Sequence, residues 1–139
     1  MKRILIIGLS IGIAVFPGLA MAWQAWNRHE VNQLSNGVFE VVGRPGSGAA
    51  DYWCAAGDYT YRNLRSASVQ RVYIYRGVGP SVSRPGYKAI QFALTPPAGA
   101  NTEPSVTLSM HRVGDNMRAA AAQQYCFDSD PFYPVSLRP

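Results

Sequence analysis

Two cysteines and two histidines carry most of the chemistry available to this 139-residue chain. The order of elements derived below places Cys54 in the first turn of one helix and Cys126 at the end of a second. In an oxidising compartment an even cysteine count reads as a disulfide, and two cysteines allow a single intramolecular pairing. Closing a loop of about 73 residues would stabilise the fold by about 4 kcal/mol in the chain-entropy model. The rival chemistry is nucleophilic. A thiolate near a helix N-terminus is favoured by the helix dipole, and His111, arriving on a later strand, could serve as its base. That reading requires Cys54 to be free and leaves Cys126 as a stray thiol.

Other reactive groupings are thin. No His-x-x-x-His, Cys-x-x-Cys or His-x-x-Glu-His spacing occurs, so no metal site is indicated and no cofactor is expected. His29 beside Glu30 reads as a surface residue. Gly77-Val78-Gly79-Pro80-Ser81 lacks the lysine and the following helix of a phosphate-cradling loop and reads as a turn. Asp128 and Asp130 lie in a Pro-containing stretch that offers no pocket for a carboxylate pair. Serines are too numerous for a Ser/His/Asp set to be specified.

The N-terminus bears on the redox question. Met1-Lys2-Arg3 is a positive start, Ile4 to Phe16 is apolar and uncharged, and Pro17-Gly18 breaks the run before Ala20-Met21-Ala22. This is the three-part pattern of a secretory signal peptide, with cleavage expected after Ala22. An uncleaved anchor would need about 20 apolar residues, and Gly8, Ser10, Gly12, Pro17 and Gly18 dilute the segment. The expected mature chain, residues 23–139, is a single domain in the periplasm or outside the cell, with no integral membrane segment. Lys2 and Arg3 leave with the leader, so the formal net charge falls from +5 to +3. Export removes most of the prior for nucleic acid, nucleotide cofactors and reduced-thiol chemistry.

Periodicity supplies the elements that must position these residues. A polar and aromatic lead-in from Trp23 to Asn36 precedes a short strand, Val38 to Val42. The Gly- and Pro-rich loop of residues 43–48 leads into a helix from Ala50 or Asp51 to about Leu64, with Asp51 as N-cap. Val69 to Arg76, Tyr87 to Leu94 and Ser105 to His111 alternate with period two and are bounded by Gly/Pro turns, which predicts three strands. After Gly114, Asp115 reads as the N-cap of a second helix through the alanine run to about Tyr125, with an extended tail from Phe127 to Pro139. The order β-α-β-β-β-α predicts an α+β domain, a mostly antiparallel four-stranded sheet with two helices on one face. Phe39, Val41, Val72, Ile74, Ile90, Phe92, Leu94, Val106, Leu108 and Met110 would meet Trp53, Tyr61, Leu64, Met117 and Ala121 in the core.

The opposite sheet face would then present Arg71, Tyr73 and Tyr75, with Tyr87 and Gln91 on the next strand and His111 on the third. Tyrosine offers a flat apolar ring with a polar tip and arginine a planar fork for carboxylate or phosphate, so this face is the expected binding surface. An antiparallel sheet also shows water a polar face without any ligand. Between Tyr59 and Thr102 lie six basic residues and no acidic one. A positive surface of that kind favours an anionic envelope component, such as lipid headgroups or acidic glycans, or an acidic protein face.

Phe39-Glu40-Val41-Val42-Gly43-Arg44-Pro45-Gly46, then Asp51-Tyr52-Trp53-Cys54-Ala55-Ala56-Gly57-Asp58-Tyr59, then Arg76-Gly77-Val78-Gly79-Pro80-Ser81-Val82, resemble a group of small exported proteins of Gram-negative bacteria. The resemblance implies an exported single domain and carries over no catalytic residue. The sequence therefore points to a small exported, non-enzymatic binding or structural protein held by Cys54–Cys126. The alternative is a thiol hydrolase acting on cell-wall peptides through Cys54 and His111, which share the chain order of papain-like peptidases but lack that family's neighbours around the cysteine.

Overall fold

A computed structural model describes residues 22–35 and 37–128. Residues 1–21 of the expected leader 1–22 lie outside the described residues, as does the tail from Ser129, Asp130 included. Elements follow in the order β1 (Trp23–Gln24), β2 (Glu30–Ser35), β3 (Val38–Val42), α1 (Ala49–Asp58), a π-helical turn (Tyr59–Asn63), β4 (Arg71–Pro80), β5 (Lys88–Ala93), β6 (Asn116–Arg118) and α2 (Ala119–Asp128). The α+β class and the antiparallel pairing hold. The sheet, however, has six strands rather than four, in the order β1-β2-β3-β5-β4-β6, and it curls into a half-barrel.

The two additional strands at one edge come from the lead-in. Arg28 takes a left-handed backbone (φ 64°), which turns the chain between β1 and β2, and β2 then pairs along the whole of β3. At the other edge, β6 occupies the start of the expected second helix. Asp115 is not its N-cap. Its carboxylate accepts from the N–H groups of Ser105 (3.1 Å) and Asn116 (3.1 Å), and the chain pairs with β4 before α2 begins at Ala119. The stretch Ser105 to His111 is not a strand. Ser105 and Ser109 turn their hydroxyls onto nearby backbone N–H groups, those of Thr107, His111 and Arg112, so local bonds replace a ladder. Val106 is fully exposed as a result. The expected turn at Gly77–Pro80 also lies inside β4, which continues to Pro80 through register shifts after Ile74 and Arg76.

The concave side of the sheet is filled by α1. Trp53 is fully buried, meets Phe92 edge-on (5.1 Å between ring centroids) and donates its indole N–H to the Ser109 carbonyl (2.9 Å). Phe39, Val41, Val72, Ile74, Ile90 and Phe92 surround it as the alternation predicts, while Leu64, Leu94, Leu108, Met110 and Met117 are half-buried at the margin. Tyr61 and Ala121 point outward instead. The cap of α1 is Gly48, whose N–H is held by the Asp51 carboxylate (2.8 Å), so Asp51 caps from the first turn rather than from the cap position itself. α2 lies against α1, and Cys54 and Cys126 are joined with their Cα atoms 4.8 Å apart.

A basic cleft at the Gly43–Gly48 loop

The face expected to bind does not form one open surface. Arg71, Tyr73 and Tyr75 do share a side of β4, opposite Val72 and Ile74. Arg71, though, donates through Nε to the Asn116 side chain (2.6 Å), and Gln91 is only 8% exposed. The central part of that side is covered by the segment after β4. Glu40, fully buried on β3, accepts from the hydroxyls of Ser81 and Ser83 (2.6 Å each) and from the N–H groups of Val82 (2.9 Å) and Ser83 (3.1 Å). Burial alone would raise the Glu40 pKa, but these four donors outweigh it and hold the carboxyl below its usual range.

His111 departs from the other predicted residues, because its segment is a loop. Val78 donates its N–H to the Met110 carbonyl (2.8 Å). A Cβ on Gly77 would lie 2.7 Å from the His111 carbonyl, so only glycine lets the two segments come this close. This contact brings His111 to one wall of a cleft of about 530 Å³. Its other walls are the loop from Gly43 to Ser47, which contributes Arg44, the entry into β5, which contributes Tyr87 and Lys88, and Tyr52 from the first turn of α1. Gly43 makes the second close approach. It donates to the Lys88 carbonyl (2.7 Å), and any side chain there would collide with the Tyr52 hydroxyl. Burial raises the Tyr52 phenol above its ordinary pKa, with the charge of Asp51 adding to the effect, so it stays neutral at the base of the cleft.

Arg44, Lys88 and His111 are all exposed, and no carboxylate lines the cleft among the described residues. Arg84, next along, is engaged elsewhere: its guanidinium stacks on Tyr87 (5.0 Å to the centroid) and pairs with Glu30 (3.1 Å). The arrangement suits an anionic group, with the Arg44 and Lys88 cations, the His111 imidazole and two phenols around it. Among the described residues no cluster of His, Cys, Asp and Glu could hold a metal ion.

Behind the same loop lies a residue that the sequence misplaces. His29 is 4% exposed, not a surface residue. Its Nε2 lies 2.7 Å from Ser47 Oγ and its Nδ1 faces the Asn27 carbonyl at 3.4 Å. Ser47 Oγ also receives the Arg44 N–H (2.8 Å). The pair stands 18 residues apart in a chain rich in serine, and its one sequence signal is the glycine on either side of Ser47. Cys54, in contrast, is buried and bonded to Cys126, so the thiolate required by a Cys54–His111 mechanism does not exist in this state. Comparison with protein-family models, with curated proteins and with solved structures finds no match for this chain.

Proposed function

We propose that this chain is an exported, disulfide-stabilised binding module of the cell envelope, and that the cleft between Arg44, Lys88 and His111 takes an anionic group of an envelope component. The observation that carries this reading is the convergence of these three side chains, from three separate segments, on a cleft lined by no carboxylate among the described residues. Two further facts support the setting. The Cys54–Cys126 bond fits an oxidising compartment, and among the described residues no helix is long and apolar enough to cross a membrane.

Binding to vesicles tests it. Vesicles containing phosphatidylglycerol should retain the protein at low salt, and vesicles of phosphatidylcholine alone should not. A basic side chain near an anionic surface contributes about 1 kcal/mol, so Arg44→Ala with Lys88→Ala should lower partitioning about 30-fold. Both residues are exposed, so the melting curve should stay where it is. Equal retention of the double variant and the parent would remove the cleft from the function. Retention lost only on replacing Arg71 and Tyr73 would return the binding surface to the side of β4.

A further inference from the structure

We propose that Ser47 and His29 form a nucleophile–base pair able to take the acyl group of a small polar ester. The geometry assigns their roles. The Asn27 carbonyl facing Nδ1 can only accept, which places the imidazole proton on Nδ1 and leaves the Nε2 lone pair toward the Ser47 hydroxyl 2.7 Å away. This is the orientation a general base needs. Asn27 is itself fixed, since its side chain donates to the Asp51 carbonyl (2.8 Å) and accepts the His29 N–H (3.3 Å). It is a positioning residue for the ring. Burial lowers the His29 pKa from its ordinary value, outweighing the Asn27 carbonyl and the charge of Asp51, so the ring is neutral at pH 7 and free to accept a proton.

The surroundings leave room for a substrate. A pocket of about 450 Å³ opens on the pair, lined by Asn27, Arg44, Ser47 and Asp51 as well as His29. Gly46 and Gly48 flank the serine without side chains, and Gly46 takes a left-handed backbone (φ 84°) that suits glycine. α1, a helix of 10 residues, starts two residues after Ser47. The N–H groups of Ala49 and Ala50 belong to its first turn, which no intrahelical carbonyl can reach, and in the proposed site they would serve the developing oxyanion. The polar lining, with Arg44 and Asp51 of opposite charge, points to an ester whose acyl part is short and polar.

In the reaction, Ser47 Oγ bonds to the carbonyl carbon as its proton passes to His29 Nε2. The bond to the leaving alcohol then breaks as His29 gives that proton to the departing oxygen. Water repeats the two steps on the acyl-serine, releasing the acid and restoring the hydroxyl. No co-reactant other than water is needed.

An alkyl fluorophosphonate tests the pair directly, since it bonds to an activated serine through phosphorus with loss of fluoride. Oxidised protein treated at pH 8 should gain one adduct, and peptide mapping should place it on Ser47. The Ser47→Ala variant should gain none, and His29→Gln should react at least about 100-fold more slowly, the usual worth of a positioned base. Because burial holds the His29 pKa low, the parent's labelling rate should already be level at pH 7. An unlabelled parent, an adduct mapped to another residue, or equal rates in parent and His29→Gln would overturn the proposal. Mapping on the parent protein decides the matter even where a variant fails to fold.

Discussion

Gly57 offers a test in which two well-understood effects oppose each other. It sits one turn beyond Cys54 on α1 and faces α2. A Cβ added there would lie 2.5 Å from the Gln123 nitrogen, 2.6 Å from the Ala122 Cβ and 2.8 Å from the Ala119 carbonyl. On helix propensity alone, Gly57→Ala should stabilise the protein by up to about 1 kcal/mol. The packing points the other way. Ordinary contact distances require α2 to retreat by about 1 Å, and two of the three atoms are backbone, so no rotamer change relieves them. Retreat is opposed by the disulfide one turn away and by the complete burial of Ala119 and Ala122. Overpacking of this kind costs about 1–3 kcal/mol beyond relaxation. With two of the three contacts to backbone and the disulfide opposing retreat, the packing cost should sit at the top of that range, so we expect a net loss of about 2 kcal/mol, seen as a melting temperature lower by about 10 °C in the oxidised protein. In a background carrying Cys54→Ser and Cys126→Ser, where the helices can part, the same substitution should cost less, a coupling expected of sites sharing one interface. A melting temperature unchanged or raised by Gly57→Ala would mean that the helices do not approach this closely.

The Cys54–Cys126 bond should make the protein inert to alkylation until reduced, and reduction should lower its stability by about 4 kcal/mol in urea. An intact mass showing two alkyl groups without reductant would refute this. Glu40→Gln keeps the shape but leaves the donors of Ser81, Val82 and Ser83 without a carboxylate, which should cost about 2 kcal/mol at pH 7. Because the folded carboxyl titrates below its usual range, its contribution is complete above the unfolded value and is lost as pH falls through the folded one. The difference between parent and Glu40→Gln in urea midpoint should therefore narrow on going from pH 7 to pH 2, and a gap independent of pH would show that the charge is not what holds the loop.

The parts legible in the sequence were those in which local pattern and tertiary fate agree. Phe39 and Val41, Val72 and Ile74, and Ile90 and Phe92 alternate and are buried on one side of three strands, and the alanine run forms α2 once the chain has left β6. Disagreement arose where a long-range partner outbid local preference. In β2 only Val31 is buried, so Glu30–Ser35 carries little hydrophobic signal and exists as a strand because β3 offers it a ladder. Ser105–His111 shows the reverse: its alternation is complete, but its serines satisfy the backbone locally and no neighbouring strand claims it. The cleft was hidden for a related reason. Its walls meet because Gly43 and Gly77 permit contacts with residues 52 and 111, and a glycine's value in such a contact depends on what approaches it, which spacing does not encode.

The placement of the acidic residues also strengthens the case for an anionic ligand. Glu40, Asp58 and Asp115 are buried, and each is engaged by hydrogen-bond donors, those of Glu40 coming from a distant segment and those of Asp115 from nearby in the chain. Asp58 takes the Trp26 N–H (2.8 Å), both contacting nitrogens of Arg62 (2.5 Å each) and the Gln123 amide (3.1 Å), tying the N-terminal edge to both helices. Asp51 is engaged at the cap of α1. A buried carboxylate still contributes to the field at long range, where net charge governs steering. At contact, within a screening length of about 8 Å, what a ligand meets is the local set of exposed groups. The charges that line the cleft are Arg44 and Lys88, while Asp51, whose charge reaches Tyr52, is held at the cap of α1 behind the loop, so the lining itself is positive. Moving a carboxylate to the cleft rim would cancel this advantage without touching the buried network, whereas adding one on the far side of the half-barrel would leave the local attraction in place.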